Sequence, residues 1–394
     1  MLDIRTPEEK DRQGLIDLMR VSFNPPGSWV RDTSPQIRLD RFRCAYEQER
    51  VVACTLVWRL AQWFGGRSMP TAGIAAVAAL PERRGERITP GLMRAVLRES
   101  RESGYPLSTL YPSRAPFYRR LGYEYSGVFT QYRASLADLP AEAPGCVQEY
   151  VDRDLPDVQA CYGRVAAEQH GFVESVDEDW WRLRVLRRAN PEVTTRAVVV
   201  RGGSGVEGYA TFQLEPQPEP WGFRVVCTHL ISETGAATRA LLAYFSGFRG
   251  LGQGLLWQGP PLDPLGHLLK GGAESISVVR SLRFMCRLLD VPGAMEARGW
   301  PQVEGEATIA VEDDLFQENN GPFQIQAQGG AVRVTRIRSG AGTPIPIGAL
   351  SALVAGGFSA HDAARVGWLD PTDPAFALLS GLFPGSACWA TDFF

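Results

Sequence analysis

The chain is poor in the residues that staple or metallate a protein. Its 394 residues include seven cysteines and four histidines. The cysteines are scattered and none forms a C-x-x-C pair, so a disulfide framework is not expected and a reducing, cytoplasmic setting is. His170, His229, His267 and His361 are far apart, and none stands at metal-ligand spacing from a cysteine or a second histidine. No metal site is therefore expected. Charge of one sign is lacking too. Lys+Arg 41 against Asp+Glu 44 leaves a net −3, which excludes nucleic-acid binding through overall positive charge. No run approaches the ~20 apolar residues that span a bilayer. The opening MLDIRTPEEKDR is charged where a signal peptide needs an apolar centre. Neither a nucleic acid nor a membrane is an expected partner, and no segment is low-complexity.

What is present is ordinary globular material. Apolar residues make up 44% and charged residues 22%, which argues against a disordered chain. Single cores stop growing near ~250–300 residues, so two or three domains are expected. The 41 glycines and 28 prolines promise many turns and substantial sheet.

The first segment, 1–138, opens with a helix predicted over 5–23, where Leu15, Ile16, Leu18, Met19 and Phe23 recur at helical spacing. Strands follow at 41–46 and 51–60. The run TAGIAAVAAL at 71–80 lacks polar alternation, as suits a strand covered on both faces. It breaks into Pro81-Glu82-Arg83-Arg84-Gly85-Glu86-Arg87, ahead of a helix predicted at 89–103. Pro90 fits the first turn of that helix and Gly104 its end. A strand at 107–111, a short helix at Tyr118 and a strand from Tyr123 complete the segment. After a Pro- and Ala-rich linker near 138–144, the second segment, 145–283, repeats the order: a helix at 152–170, strands at 196–200, 208–214 and 225–231, a helix at 236–248 and a strand at 255–258. The third segment, 284–394, alternates short helices and strands and ends in an extended tail, Cys388 to Phe394.

Two constellations carry chemistry. Backbone N–H groups at a helix N-terminus are unpaired and the helix dipole favours an anion there. Arg83, Arg84 and Arg87 add positive charge at the start of the 89–103 helix, so a pyrophosphate suits the place; an exposed basic turn is the alternative. The second constellation is Ser113-Arg114-Ala115-Pro116-Phe117-Tyr118-Arg119-Arg120-Leu121-Gly122-Tyr123. A short helix bearing F-Y-x-x-x-G-Y after a strand resembles the closing part of the GNAT acetyltransferase fold. With the P-T-A-G-I strand before it, the chain resembles the enhanced-intracellular-survival (Eis-like) N-acetyltransferases. The third segment is similar to that family's sterol-carrier-protein-like domain at Leu289-Asp290-Val291-Pro292-Gly293-Ala294-Met295-Glu296-Ala297-Arg298-Gly299. It is similar again at Leu350-Ser351-Ala352-Leu353-Val354-Ala355-Gly356 and at Gly367-Trp368-Leu369.

The resemblance implies an α+β fold of two tandem GNAT-type domains followed by a sterol-carrier-protein-like α/β domain. It implies acetyl-CoA as co-substrate, a small-molecule or peptide amine as acceptor, direct attack in a ternary complex, and a homo-oligomer, with a hexamer as one form. Backbone groups of Val77 and Ala79 would hold the acetyl and pantetheine parts. Arg83, Arg84, Gly85, Arg87 and Ile88 would carry the pyrophosphate. Tyr118 would be the general acid toward the departing thiolate, and the α-carboxylate of Phe394 the general base. Trp29 and Phe393 would line the acceptor site. Physically the pair is sound: a carboxylate can accept the ammonium proton, and tyrosine, with a pKa near 10, is protonated at pH 7. Without the resemblance, Tyr118 reads rather as a core-edge tyrosine and the terminal Phe-Phe as an apolar plug. The cysteines read as packed apolar residues, and Trp180 and Trp181 as packing between domains.

Two departures shape the expectation. Aligned from Pro81, the loop reads Arg84-Gly85-Glu86-Arg87-Ile88-Thr89, with Arg87 where the family's pattern has glycine and Glu86 adding a negative charge. A catalytically silent GNAT-fold binding protein is the alternative function on that ground. The family's aminoglycoside-acetylating members place acids near the first helix's end and just before the terminal residue. Pro25 and Phe393 stand there, with Asp32 and Asp392 nearby, so a less cationic or more apolar amine is expected.

Overall fold

The computed structural model describes residues 3–25, 37–142, 147–175, 180, 181, 185, 186, 194–203, 205–217, 222–338, 340 and 342–394. The expected acceptor residue Trp29, and Asp32 with it, lie outside them. The first lobe runs β1 (Asp3–Arg5), α1 (Arg12–Phe23), β2 (Phe42–Glu47), β3 (Arg50–Phe64), β4 (Arg67–Ala79), α2 (Ile88–Glu102), β5 (Leu107–Leu110), α3 (Ala115–Arg119) and β6 (Glu124–Ala134). The first helix opens at Arg12 rather than Arg5 because Asp3–Arg5 pairs with β2. The Asp11 carboxylate also accepts from the Glu8 N–H and the Tyr46 hydroxyl. Helix α2 buries Ile88, Leu92, Met93, Val96 and Leu97, spaced to form one face, against the sheet.

The second lobe repeats the pattern with β7 (Val147–Glu149), α4 (Leu155–Ala167), β8 (Val173–Ser175), β9 (Thr194–Gly202), β10 (Gly205–Pro216), β11 (Phe223–Ser232), α5 (Gly235–Ser246) and β12 (Gly252–Gly259). Strand β13 (Ser277–Leu288) follows. The carrier-like domain contains α6 (Val291–Ala297), β14 (Gly305–Glu312), β15 (Gly321–Gln328), β16 (Ala331–Arg336), β17 (Thr343–Pro346), α7 (Ile347–Val354), α8 (Ala360–Arg365) and α9 (Phe376–Leu382). Its sheet has the order β16-β15-β14-β17.

The two lobes share one sheet in the order β1-β2-β3-β4-β5-β13-β6-β12-β11-β10-β9-β7, with β8 paired to β3. The lobes exchange their last strands. β6, first-lobe by chain order, pairs with β12 of the second lobe. β13, which comes after the second lobe, pairs with β5 of the first. The two exchanged strands also pair with each other along most of their lengths. The expected boundary at 283 falls inside β13.

Arg287 of β13 fastens this junction. Its side chain is fully buried, and it donates to Asp313 Oδ1 at 2.7 Å in the carrier-like domain and to the Leu121 carbonyl at 2.5 Å in the first lobe. Among the described residues the six cysteines are buried and free, and no cluster of His, Cys, Asp and Glu could hold a metal ion. No described helix is long and apolar enough to cross a membrane.

Candidate active site

Strand β4 leaves the sheet half-way along one edge. On one side it pairs with β3 from Arg67 to Ala79. On the other it pairs in parallel with β5 only over Thr71–Ile74. Beyond Ile74 the two strands part, and Ala75, Ala76 and Val77 become partly exposed between the buried residues Thr71–Ile74 and Ala78–Ala79. A bulge lies at the same point: the register with β3 shifts between Cys54 and Leu56, and Ala76 takes φ +49°. The Thr55 hydroxyl ties down the Ala75 carbonyl and the Cys54 thiol that of Ala76. Past the bulge, Leu80 N–H donates to Val52 O on the β3 side. Alternation along the strand therefore turns the backbone groups of Val77 and Ala79 toward the edge that β5 has left.

This edge leads to the N-terminus of α2. Gly85 has φ +91° and Arg87, the residue preceding the helix, has φ +59°. Arginine thus adopts the left-handed conformation that the glycine of the pattern would supply, at a cost of roughly 1–2 kcal/mol. Its side chain is exposed, as are those of Arg84 and Glu86. Among the described residues no side chain caps the helix, so the first N–H groups of α2 face outward in the field of the helix dipole. Arg83 is committed elsewhere: its guanidinium bonds Glu47 at 2.6 Å and Glu86 at 3.0 Å. Of the three arginines, Arg84 and Arg87 are left to meet an anion, and Glu86 is partly neutralised by Arg83.

Tyr118 lies on α3 and is 4% exposed, packed edge-on against Phe117 and Tyr123. Burial pushes its pKa up, with a hydrogen bond from Ser113 acting the other way, so the phenol keeps its proton at pH 7. The turn after α3 depends on Gly122 (φ +84°), where a Cβ would come within 2.9 Å of Ile347 and 3.0 Å of Arg287 Nε. Tyr123 hydrogen-bonds Ser108 at 2.6 Å, and Ser108 donates to the Ala72 carbonyl of β4. The F-Y-x-x-x-G-Y segment is thereby fixed to the strands that part.

The tail leaves the carrier-like domain and threads between the lobes. Val128 N–H donates to Cys388 O, Ala390 N–H to Val128 O, and Trp389 N–H to His170 O. The Tyr111 hydroxyl, just past β5, donates to the Asp392 carbonyl at 2.7 Å. The Asp392 carboxylate is buried against His229 Nε2 at 3.2 Å and the Thr391 hydroxyl at 2.7 Å. Tyr209 contacts the other nitrogen of His229 at 2.9 Å. Phe394 is 9% exposed and its ring lies on β4 at Gly73, where a Cβ would approach it to 3.2 Å and Leu60 to 2.5 Å. Tyr111 and Trp180 flank that ring. Trp180 also meets Trp58 of the first lobe edge-on. Phe393 is 42% exposed, with Tyr111 on one side and the Arg280 guanidinium over its ring at 4.8 Å. The structure thus brings Phe394 and the parting point of β4 onto one strand, with Tyr118 on the element that follows β5. Tyr111 and His229 were not singled out from the sequence, since each is an isolated residue whose partner lies far along the chain.

An acetyltransferase (GNAT) domain model matches residues 3–126, a second acetyltransferase (GNAT) domain model matches 175–288, and a sterol carrier protein domain model matches 291–391. The chain belongs to the GNAT N-acetyltransferases. Its three-domain form is Eis-like. A GCN5-related N-acetyltransferase from Anabaena variabilis superposes with a TM-score of 0.92 at 26% identity, over 100% of both chains. An uncharacterized N-acetyltransferase of Streptomyces avermitilis is 28% identical over 310 residues, 75% of this chain and 74% of that protein. N-acetyltransferase Eis of Mycobacterium tuberculosis is 26% identical over 281 residues, 68% of this chain and 66% of that one. In this N-acetyltransferase the parted strands and the uncapped α2 belong to the first GNAT domain. The second GNAT domain holds His229, which grips the tail.

Proposed function

We propose that this N-acetyltransferase transfers acetyl from acetyl-CoA to the amine of a small molecule or peptide, by direct attack in a ternary complex. The observation that carries the reading is the unpaired edge of β4 from Ala75 to Ala79, running into the uncapped N-terminus of α2 while Phe394 lies on the same strand at Gly73. The chemistry fits that arrangement. Backbone groups of Val77 and Ala79 serve as a strand edge for the extended pantetheine arm. The α2 N-terminus, Gly85, Ile88, Arg84 and Arg87 receive the pyrophosphate.

Where the polypeptide ends at Phe394, its α-carboxylate accepts the proton that the attacking ammonium must lose. Tyr111, Trp180 and Gly73 hold the ring of that residue. Tyr118, kept neutral by burial, donates to the thiolate as it departs. The acceptor is less cationic than an aminoglycoside, because the carboxylate of Asp392 is directed to His229 and Thr391.

A thioester-consumption assay against a panel of primary amines tests the reading. Turnover is expected with at least one apolar or singly charged amine, and Tyr118→Phe is expected to lower kcat by ~10²–10⁴-fold with the KM for acetyl-CoA little changed. The alkaline limb of the wild-type profile is expected above the usual tyrosine value of about 10. Full turnover in Tyr118→Phe would remove that residue from the mechanism.

A further inference from the structure

A second candidate site lies near the start of β4, away from its parted edge, where the two lobes and the carrier-like domain meet. A cavity of about 200 Å³ is lined there by Gly65 of the first lobe, His170 of the second, and Arg298, Trp300, Leu353 and Phe383 of the third. An apolar cavity of about 150 Å³ is large enough to take benzene. Most of its lining side chains are apolar, and Arg298, which is 4% exposed, is the charged one.

Among the described residues Arg298 has no counter-charge. Its described hydrogen bonds go to two backbone carbonyls, Gly299 O at 3.0 Å and Val354 O, and its guanidinium stacks 4.2 Å above the Trp300 ring. Among the described residues it forms no ion pair, in contrast to Arg287, which is equally buried and is paired with Asp313. Burial lowers the pKa of Arg298 to about 10. Beside it, His170 Nδ1 is buried with no hydrogen-bond partner among the described residues and faces Gly356 across the cavity wall. Burial, then Arg298, pushes the His170 pKa down to about 4, so the ring is neutral at pH 7 and can donate from Nδ1. A buried cation without an anion, an unused imidazole nitrogen and an apolar chamber are together complementary to one ligand chemistry.

We propose that this three-domain junction binds a small carboxylate with an apolar body. The guanidinium of Arg298 takes the carboxylate oxygens. The imidazole of His170 supplies a further donor, and Leu353, Phe383 and Trp300 enclose the body. The cavity wall continues into Ser386, two residues before the tail pairs with β6 and His170. An occupied site therefore braces the segment that delivers Phe394.

Calorimetric titration of the full chain, in the absence of acetyl-CoA, with benzoate and with neutral benzamide tests this. Saturable one-site binding of benzoate, at least tenfold tighter than benzamide, is expected. Arg298→Gln and Ser386→Leu are each expected to weaken it at least tenfold, the first by removing the charge and the second by filling the chamber while Arg298 stays. Equal binding of benzoate and benzamide, no saturable binding, or wild-type affinity in a folded Ser386→Leu protein overturns the proposal. Ser386→Leu decides alone if Arg298→Gln does not fold. Neither readout depends on acetyl transfer, so failure here is distinct from failure of the active-site reading.

Discussion

The two GNAT domains run through a similar order of elements and differ at two comparable places. In the first, the helix after the central strand is entered through a left-handed Arg87 with no side-chain cap, next to Arg84. In the second, α5 is capped by Thr234, whose hydroxyl accepts from Ala237 N–H at 3.1 Å, with Glu207 and Glu233 alongside. One helix start is open and basic; the other is closed by its cap and flanked by Glu207 and an Arg164-paired Glu233, and so is ill suited to a phosphate. The parting of strands differs in the same sense. Both central strands leave their parallel neighbour, β4 after Ile74 and β11 after Val226. The stretch of β11 beyond that point carries His229, which holds Asp392 of the tail. A shared fold has been put to two uses: the first copy keeps a ligand edge and the second anchors the chain end.

The sharpest way to break this comparison is to move the chain end. One glycine added after Phe394 displaces the carboxylate, and kcat is expected to fall ~10²-fold or more while acetyl-CoA affinity stays within a few-fold. Single-turnover kinetics beside calorimetric titration separate the two quantities. Undiminished kcat in the extended chain removes the terminal carboxylate from the mechanism.

A smaller effect is expected at the anchor. His229→Ala removes one of the groups that hold the buried Asp392 carboxylate and loosens the tail. A 1 Å misplacement can cost ~10²-fold in rate; partial loosening is expected to lower kcat roughly 10-fold. The KM for acetyl-CoA should not move, because His229 belongs to the second domain. A change confined to that KM would show that the anchor acts on the first domain's ligand edge instead.

Much of this architecture is legible in the sequence. The α2 helix is predicted at 89–103 and observed at Ile88–Glu102, and the repeat of the first lobe is visible in the order of elements. Strand β13 is not legible, for a physical reason. Its first half is exposed and its second half buried between β5 and β6, so no single period runs through it. Its arginines imitate a loop, and Arg287 is neutralised by Asp313, well outside any local window. The tail anchor is hidden in the same way, since His229 and Asp392 are 163 residues apart. Arg87 is a different case. The sequence pattern treats glycine there as space for a phosphate, whereas the backbone requires a left-handed φ, and an exposed arginine supplies it.

That distinction gives the finest test of the two helix starts, a matched pair of substitutions. Arg87→Gly removes left-handed strain but adds glycine's entropy to the unfolded chain, so stability is expected to rise by no more than about 1 kcal/mol. Acetyl-CoA affinity should drop only as far as one exposed charge contributes. Thr234→Ala removes a cap and is expected to cost about 1 kcal/mol with acetyl-CoA affinity untouched. Denaturant titrations and acetyl-CoA binding on both variants check the pair. If Thr234→Ala weakens acetyl-CoA binding more than Arg87→Gly does, the ligand is meeting the second helix, and the division of labour between the copies has been assigned the wrong way round.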